Sequence, residues 1–265
     1  MRKIAALFVG AWVVVVAFPY LWVLAASFKT QKELIDPRSF LFVPTLDNWR
    51  EVVASGIGDS VVSSVIVGVA TVTISALVAV PGAYAIARWR AGGEVARFGI
   101  LLSEVLPPAV LVVPLFLFAL NLGLRDTLAA VIASHLTFVL PVMTWFMVGF
   151  FDGVPRELEE QALVDGHGRI GAFVKVVLPQ VLPGIGAAVI FGFVLSWNDL
   201  FYALILAGGN ERTLPVAIAS YNTFRGVELG QMAVAILISV VPVLIASFVV
   251  QKRLIRGISR GGLKV

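Results

Sequence analysis

The stretch SVVSSVIVGVATVTISALVAVPGAYAIA, Ser60 to Ala87, contains no charged residue. At 1.5 Å per residue, a helix needs about 20 apolar residues to cross a hydrocarbon core of about 30 Å. This run is long enough to cross with some tilt. Five more runs on either side pass the same test. Ile4–Phe28 and Leu229–Gln251 carry no charge, and Phe98–Leu124 is interrupted only by Glu104. Thr127–Phe151 has His135 as its one titratable interruption, and Pro183–Ala207 has Asp199. The sequence therefore predicts an all-α membrane protein with six spans, at 4–28, 60–87, 98–124, 127–151, 183–207 and 229–251, in a single domain over 1–265. The alternating ten-residue pattern of a membrane β-barrel is absent.

Composition agrees. Of 265 residues, 59% are hydrophobic and 14% charged. Soluble domains carry about 25% charged residues, so an ordinary soluble enzyme and a disordered chain are both excluded. The absence of cysteine removes disulfides and thiolate chemistry. The net charge of +4 is spread between apolar blocks and forms no stripe, so it reads as topology and not as a nucleic-acid footprint. One set of loop ends holds Arg2, Lys3, Arg88, Arg90, Arg97, Arg156, Arg169, Lys175 and the basic tail from Lys252 to Lys264. The other holds Lys29, Lys32, Arg38, Arg50, Arg125, Arg212 and Arg225. Thirteen basic residues against seven place both termini in the cytoplasm of a multi-pass inner-membrane protein. The first run is too long for a signal-peptide core and reads as an uncleaved helix.

The connection 152–182 is far longer than a usual bundle loop. It reads DGVPRELEEQALVDGHGRIGAFVKVVLPQVL. Pro155 suits a first helical position. Glu157, Glu159 and Glu160 suit the positive end of a helix dipole. Gly166 and Gly168 around His167 read as a stop and turn. Ile170, Phe173, Val174, Val177 and Leu178 then form an apolar stripe at helical spacing, and Pro179 and Pro183 mark re-entry into the bilayer. Anionic inner-leaflet lipid does not attract an acidic helix, so this hairpin reads as a docking surface for a cytoplasmic partner. Asp165 either caps the second helix, pairs with a partner arginine or makes a local turn bond.

Glu160-Gln161-Ala162-Leu163-Val164-Asp165-Gly166, followed by Leu178-Pro179, resembles the EAA loop of ATP-binding-cassette (ABC) importer permeases. Ser27-Phe28-Lys29-Thr30, Leu106-Pro107-Pro108, Ser196-Trp197-Asn198-Asp199 and the tail Gln251–Ile258 with Gly261–Lys264 resemble the carbohydrate branch with the maltose-type second permease. Gln161 departs from the usual Ala and puts a larger polar group on the docking face. The resemblance implies a permease subunit of a binding-protein-dependent sugar importer. It would pair with a different permease, receive substrate from an extracytoplasmic binding protein, and dock a dimer of ATPases. The implied coupling residues are Glu159, Glu160, Gln161, Ala162, Asp165, Gly166, Leu178 and Pro179. ATP and magnesium would belong to the ATPases, because this chain has no phosphate-binding loop. The chain then needs no cofactor or metal, is not an enzyme, and contacts only lipid, sugar and protein. An importer of a polyol or glycerol phosphate, or an ATP-independent secondary transporter, are the alternatives.

Ionisable residues inside spans are functional candidates. His135 either lines the path or bonds a neighbouring helix. Trp197, Asn198, Asp199 and Tyr202 combine hydrogen-bonding groups with aromatic rings, which suits a sugar, while such aromatics also mark membrane interfaces. Glu104 is expected to snorkel or pair with Arg97. The loop Gly208–Glu228 either contacts the binding protein or is a solvated connection. The basic tail suits anionic lipid or the ATPase.

Overall fold

The computed structural model describes residues 2–36, 38–209, 211–224 and 226–261, with side chains from Phe8 to Phe248. The side chains of the basic tail lie outside the described residues, as do Asn210, Arg225 and the Gly262–Lys264 stretch entirely. In chain order the helices are α1 (Arg2–Ala26), α2 (Gln31–Ile35), α3 (Asp47–Ala54), α4 (Ile57–Trp89), α5 (Gly93–Val105), α6 (Pro108–Asn121), α7 (Leu128–Asp152), α8 (Arg156–Val164) and α9 (Arg169–Ala172). A π-helical turn at Phe173–Val177 leads into α10 (Leu178–Trp197), α11 (Phe201–Leu206) and α12 (Leu214–Ala219). A two-residue hairpin, β1 (Asn222–Thr223) with β2 (Gly226–Val227), precedes α13 (Leu229–Gly261). Among the described residues, five continuous helical stretches are long and apolar enough to cross a membrane: Phe8–Ala26, Ile57–Trp89, Leu128–Asp152, Arg169–Trp197 and Leu229–Phe248.

The expected third span is not one helix. α5 and α6 meet at a bend of 92°, the geometry of a broken span or a re-entrant loop. The cause is local. A residue before proline is driven out of the α region, and proline has no N–H for the ladder. Leu106 and Pro107 both sit in extended backbone (ψ 121 and 135), so the tandem Pro107-Pro108 stops α5 and starts α6. Single prolines inside helices, such as Pro81 and Pro141, leave their helices continuous. The expected fifth span is also displaced. Helix begins at Arg169, before the supposed re-entry point, and ends at Trp197, so 201–206 is the separate helix α11. A proline in a first turn is tolerated and marks no boundary by itself.

The chain divides into two compact units. One comprises 1–62 with 214–243. There Asn48 Nδ2 donates to the carbonyls of Ser27 (3.0 Å) and Lys29 (2.8 Å), satisfying the open end of α1. The Gln31 side chain donates to Val227 O (2.6 Å) and accepts from Leu229 N–H (3.1 Å), which pins the hairpin and the start of α13. Thr30 and Glu33 form a capping box on α2.

The other unit comprises 63–213 with 244–265. Its core is the seam of α7 with α10 and α4. Val139, Met143, Met147 and Phe151 recur every fourth residue on α7 and are buried. They face Val181 and Ala188 of α10 and Ala79 and Ala83 of α4 in the same core. At Gly192 a Cβ would lie 2.9 Å from Met143 Sδ and 3.0 Å from Val139 Cγ1, so the close helix approach excludes a side chain there.

Candidate functional site

Two groups of polar residues stand out in the second unit. The first is the hairpin of α8 and α9. Pro155 is the residue before α8 and not its first residue, and Glu157 and Glu159 fall in the first turn as their charge requires. Gly166 has φ +87, a left-handed conformation that glycine adopts without steric cost. His167 N–H then donates to Ala162 O (3.0 Å) and Gly166 N–H to Leu163 O (3.1 Å), which closes the helix end. Asp165 does not cap the second helix: it follows α8, and the residue before α9 is Gly168.

The hairpin has two unlike faces. Ala162, Ala172 and Val177 are buried. Glu160, Gln161, Asp165, Gly166 and Pro179 are exposed, and Leu178 packs partly against the core. Val164 (88% exposed) and Ile170 (81%) lie on the outside, with Leu163 and Val174 also exposed. The expected apolar stripe thus splits. The π turn at Phe173–Val177 adds a residue to one turn and rotates the helix beyond it, so Ile170 and Val174 face outward while Val177 joins the core.

Glu159 faces inward, unlike Glu160. The Tyr84 hydroxyl donates to its Oε1 at 2.5 Å, and Arg88 Nε lies 3.1 Å from its Oε2. The second arm of Arg88 donates to Val154 O at 2.8 Å. Tyr84 packs against Phe173 at 4.4 Å, and Arg169 lies over the Trp89 ring at 5.8 Å. A nearly buried carboxylate is tolerable because a guanidinium beside it balances its charge and a phenol donates to it. The end of α4 is thereby fastened to α8.

The second group lies where α7 meets the end of α10. His135 is 1% exposed; its Nδ1 is 2.7 Å from Ser196 Oγ and its Nε2 is 3.1 Å from Asp199 Oδ2. The carboxylate accepts, so Nε2 donates to it, and Nδ1 shares the other hydrogen bond with the Ser196 hydroxyl. Asp199 Oδ2 also accepts from Ala203 N–H at 3.1 Å, capping α11. His135 therefore bonds a neighbouring helix. The Ser196 hydroxyl is buried and held by the ring, so the trio clamps α7 to α10. Trp197 is buried, and Asn198 donates back to Val194 O (2.8 Å). Asp199 and Tyr202 instead line a cavity of about 240 Å³, together with Ser103, Glu104, Thr137 and Phe138. Tyr202 stacks on Phe138 with centroids 5.8 Å apart and planes 11° from parallel. Glu104 does not pair with Arg97, whose guanidinium lies 3.3 Å from Asp152.

The pattern described as "Binding-protein-dependent transport system inner membrane component" matches residues 79–260. The chain belongs to that family. The sulfoquinovosyl glycerol transport system permease protein SmoH of Agrobacterium fabrum is 33% identical over 252 residues, covering 93% of this chain and 88% of its own length. The trehalose transport system permease protein SugB of Mycobacterium tuberculosis is 32% identical, over 93% of this chain and 92% of its own. In fold, the chain is similar to a chain of a bacterial ABC transporter that imports the acidic polysaccharide alginate. The TM-score is 0.75, the identity 22%, and 95% of each chain is covered. The all-α permease fold and the resemblance to ABC importer permeases are borne out.

In this permease the structure adds Tyr84 and Arg88 to the hairpin, and Ser103, Glu104, Thr137 and Phe138 to the second group. Arg88 is legible in sequence only as a topology charge after an apolar run. Nothing in the spacing reveals that its partner is Glu159. Glu104 is visible as a lone acid in a span, but the cavity it shares with Asp199 and Tyr202 is not.

Proposed function

We propose that the chain is one of two different permease subunits of an ATP-driven, binding-protein-dependent sugar importer. The two subunits form the path, and sugar passes through without chemical change. The exposed face of α8 and α9 receives a dimer of cytoplasmic ATPases, which puts that hairpin and both termini on the cytoplasmic side. An extracytoplasmic binding protein delivers the sugar. This chain holds no cofactor, and ATP and magnesium act in the ATPases. Trehalose transport by SugB, as its name describes it, supports the substrate class.

The observation that carries the reading is the two-faced hairpin. Val164 and Ile170 offer apolar area with Glu160 and Gln161 beside them, while Glu159 on the inner face is tied to Arg88 and Tyr84. Coupling requires an element whose position both sites bias. A helix pressed by a partner on one side and bonded to a span on the other meets that requirement. Gly166→Asp tests it. In proteoliposomes containing the whole importer, the variant is expected to remain assembled but to lose substrate-stimulated ATP hydrolysis and uptake. Normal uptake with unchanged stimulation refutes the docking assignment. Uptake that persists without ATP and needs a proton gradient refutes the importer reading as a whole.

A further inference from the structure

The 240 Å³ cavity is where two interrupted helices meet. α5 gives way to α6 through the extended residues Leu106 and Pro107, and α10 stops at Trp197 before α11 resumes at Phe201. Non-helical backbone at membrane depth survives where it lines a polar cavity or is buried in protein, and broken helices commonly build transport sites. The side chains at these breaks fit that use. Asp199 is held by His135 and Ala203 N–H through Oδ2 alone, which leaves Oδ1 with no partner in the described structure. Glu104 makes no hydrogen bond or ion pair among the described residues, although a carboxylate left in hydrocarbon is costly. Lining the cavity resolves that cost, since water or a ligand then solvates the group. Thr137 adds a hydroxyl, and the Phe138–Tyr202 stack adds a flat apolar wall.

We infer that this cavity is a sugar subsite of the permease, and that Glu104 and Asp199 restrict it to uncharged polyhydroxylated rings. The inference rests on the importer reading and names the substrate class within it. Carboxylates accept hydrogen bonds from sugar hydroxyls, and charge-assisted bonds are the stronger ones. Aromatic rings pack against the C–H face of a pyranose. The volume is below the roughly 300 Å³ at which drug-sized sites begin, which suits one ring of a larger sugar. The described lining includes no Lys or Arg. Asp199 shares its charge with His135 through one oxygen, and a carboxylate or phosphate on the ligand would meet two acidic side chains with no cation in the described lining to pair with. Sulfonated, uronic and phosphorylated sugars are therefore excluded at this point of the path, which also disfavours glycerol phosphate.

The test uses the complete importer in nanodiscs, without ATP and without the binding protein. Saturation-transfer NMR with D-glucose and D-glucuronate compares two single rings that differ by a carboxylate. In the wild type, glucose is expected to bind at least about tenfold more tightly than glucuronate. Glu104→Gln keeps the shape and removes the acid, and is expected to bring the ratio to within about threefold. Asp199→Asn, tested in parallel, is expected to shift the ratio in the same direction. Equal binding of the two sugars by the wild type overturns the inference, as does a ratio unmoved by both variants or no binding of either sugar. Because binding is read without ATP, these failures leave the importer reading standing. A loss of all ATP-driven uptake would overturn that reading and not this ratio.

Discussion

Glu159 and Asp199 are two nearly buried carboxylates in the same unit, each 12% exposed and each partnered from a neighbouring helix. They are used differently. Glu159 has both oxygens engaged, one by the permanently charged Arg88 and the other by Tyr84. Asp199 is held by a histidine and a backbone N–H on a single oxygen, and it faces a cavity. The first acid is spent on structure and the second is left partly open. The proposed coupling role suits a charge-fixed ion pair, because an arginine stays charged at any working pH. A site that must admit and release a ligand needs acceptors that are positioned but not saturated.

Removing one partner from each pair is the strongest way to break this comparison. Arg88→Ala leaves Glu159 charged with only Tyr84 beside it, and is expected to destabilise the protein by about 3 kcal/mol. Thermal denaturation in detergent should show a lower Tm than for Glu160→Ala on the outer face, and Arg88→Ala with Glu159→Leu should recover part of the loss. A Tm equal to wild type would mean that the joint is not structural. His135→Leu orphans Ser196 and one bond of Asp199 and is expected to cost less, about 2 kcal/mol. If the two losses were equal, the distinction between a closed and an open carboxylate would fail.

Packing offers a control without charge. Gly192→Leu pushes against Met143 and Val139, which are buried and have little room to yield, and an overpacked core costs about 1–3 kcal/mol. Its Tm should fall, while the glucose-to-glucuronate ratio should stay as in wild type. A change in that ratio would show that cavity selectivity follows general packing and not the two acids.

The smallest effect is expected at a half-buried carboxylate in a short surface helix. Hydrogen bonds from the Thr30 backbone N–H and side chain hold Glu33 below its ordinary pKa of 4.5. Its charged form is favoured by folding, so the contribution is present above that value and is lost as pH falls through the lowered one. Amide exchange at Glu33 and Leu34 should therefore accelerate below about pH 4.5, with the α7–α10 seam unaffected. Exchange that is insensitive to pH after correction for its intrinsic rate would remove the capping box as a charged contact.

Much of this molecule is readable along the chain. Apolar run length alone marks the long membrane helices, because a bilayer imposes a length that short-range sequence must meet. The acidic start of α8 and the glycine turn at 166 are readable for similar reasons, since dipole complementarity and left-handed backbone are local. The break at Pro107-Pro108 is equally local in its cause. Run length misses it, because single prolines inside Ile57–Trp89 and Leu128–Asp152 leave the helix intact and only the tandem pair forces two extended residues.

Tertiary structure alone decided which acid does what. Glu159 and Glu160 are neighbours of the same type, yet one turns to Arg88 and the other to solvent, because successive helix residues point about 100° apart and only packing says which direction is inward. The stripe from Ile170 to Leu178 is split by a π turn that periodicity does not reveal. Glu104 lies far along the chain from Asp199 and Tyr202, yet all three line one cavity. The sequence by itself determined that this chain lives in a membrane and which stretches are apolar enough to cross it, since a bilayer reads composition one segment at a time. Partnership between distant side chains, and with it the division between joint and site, arises only when the helices pack.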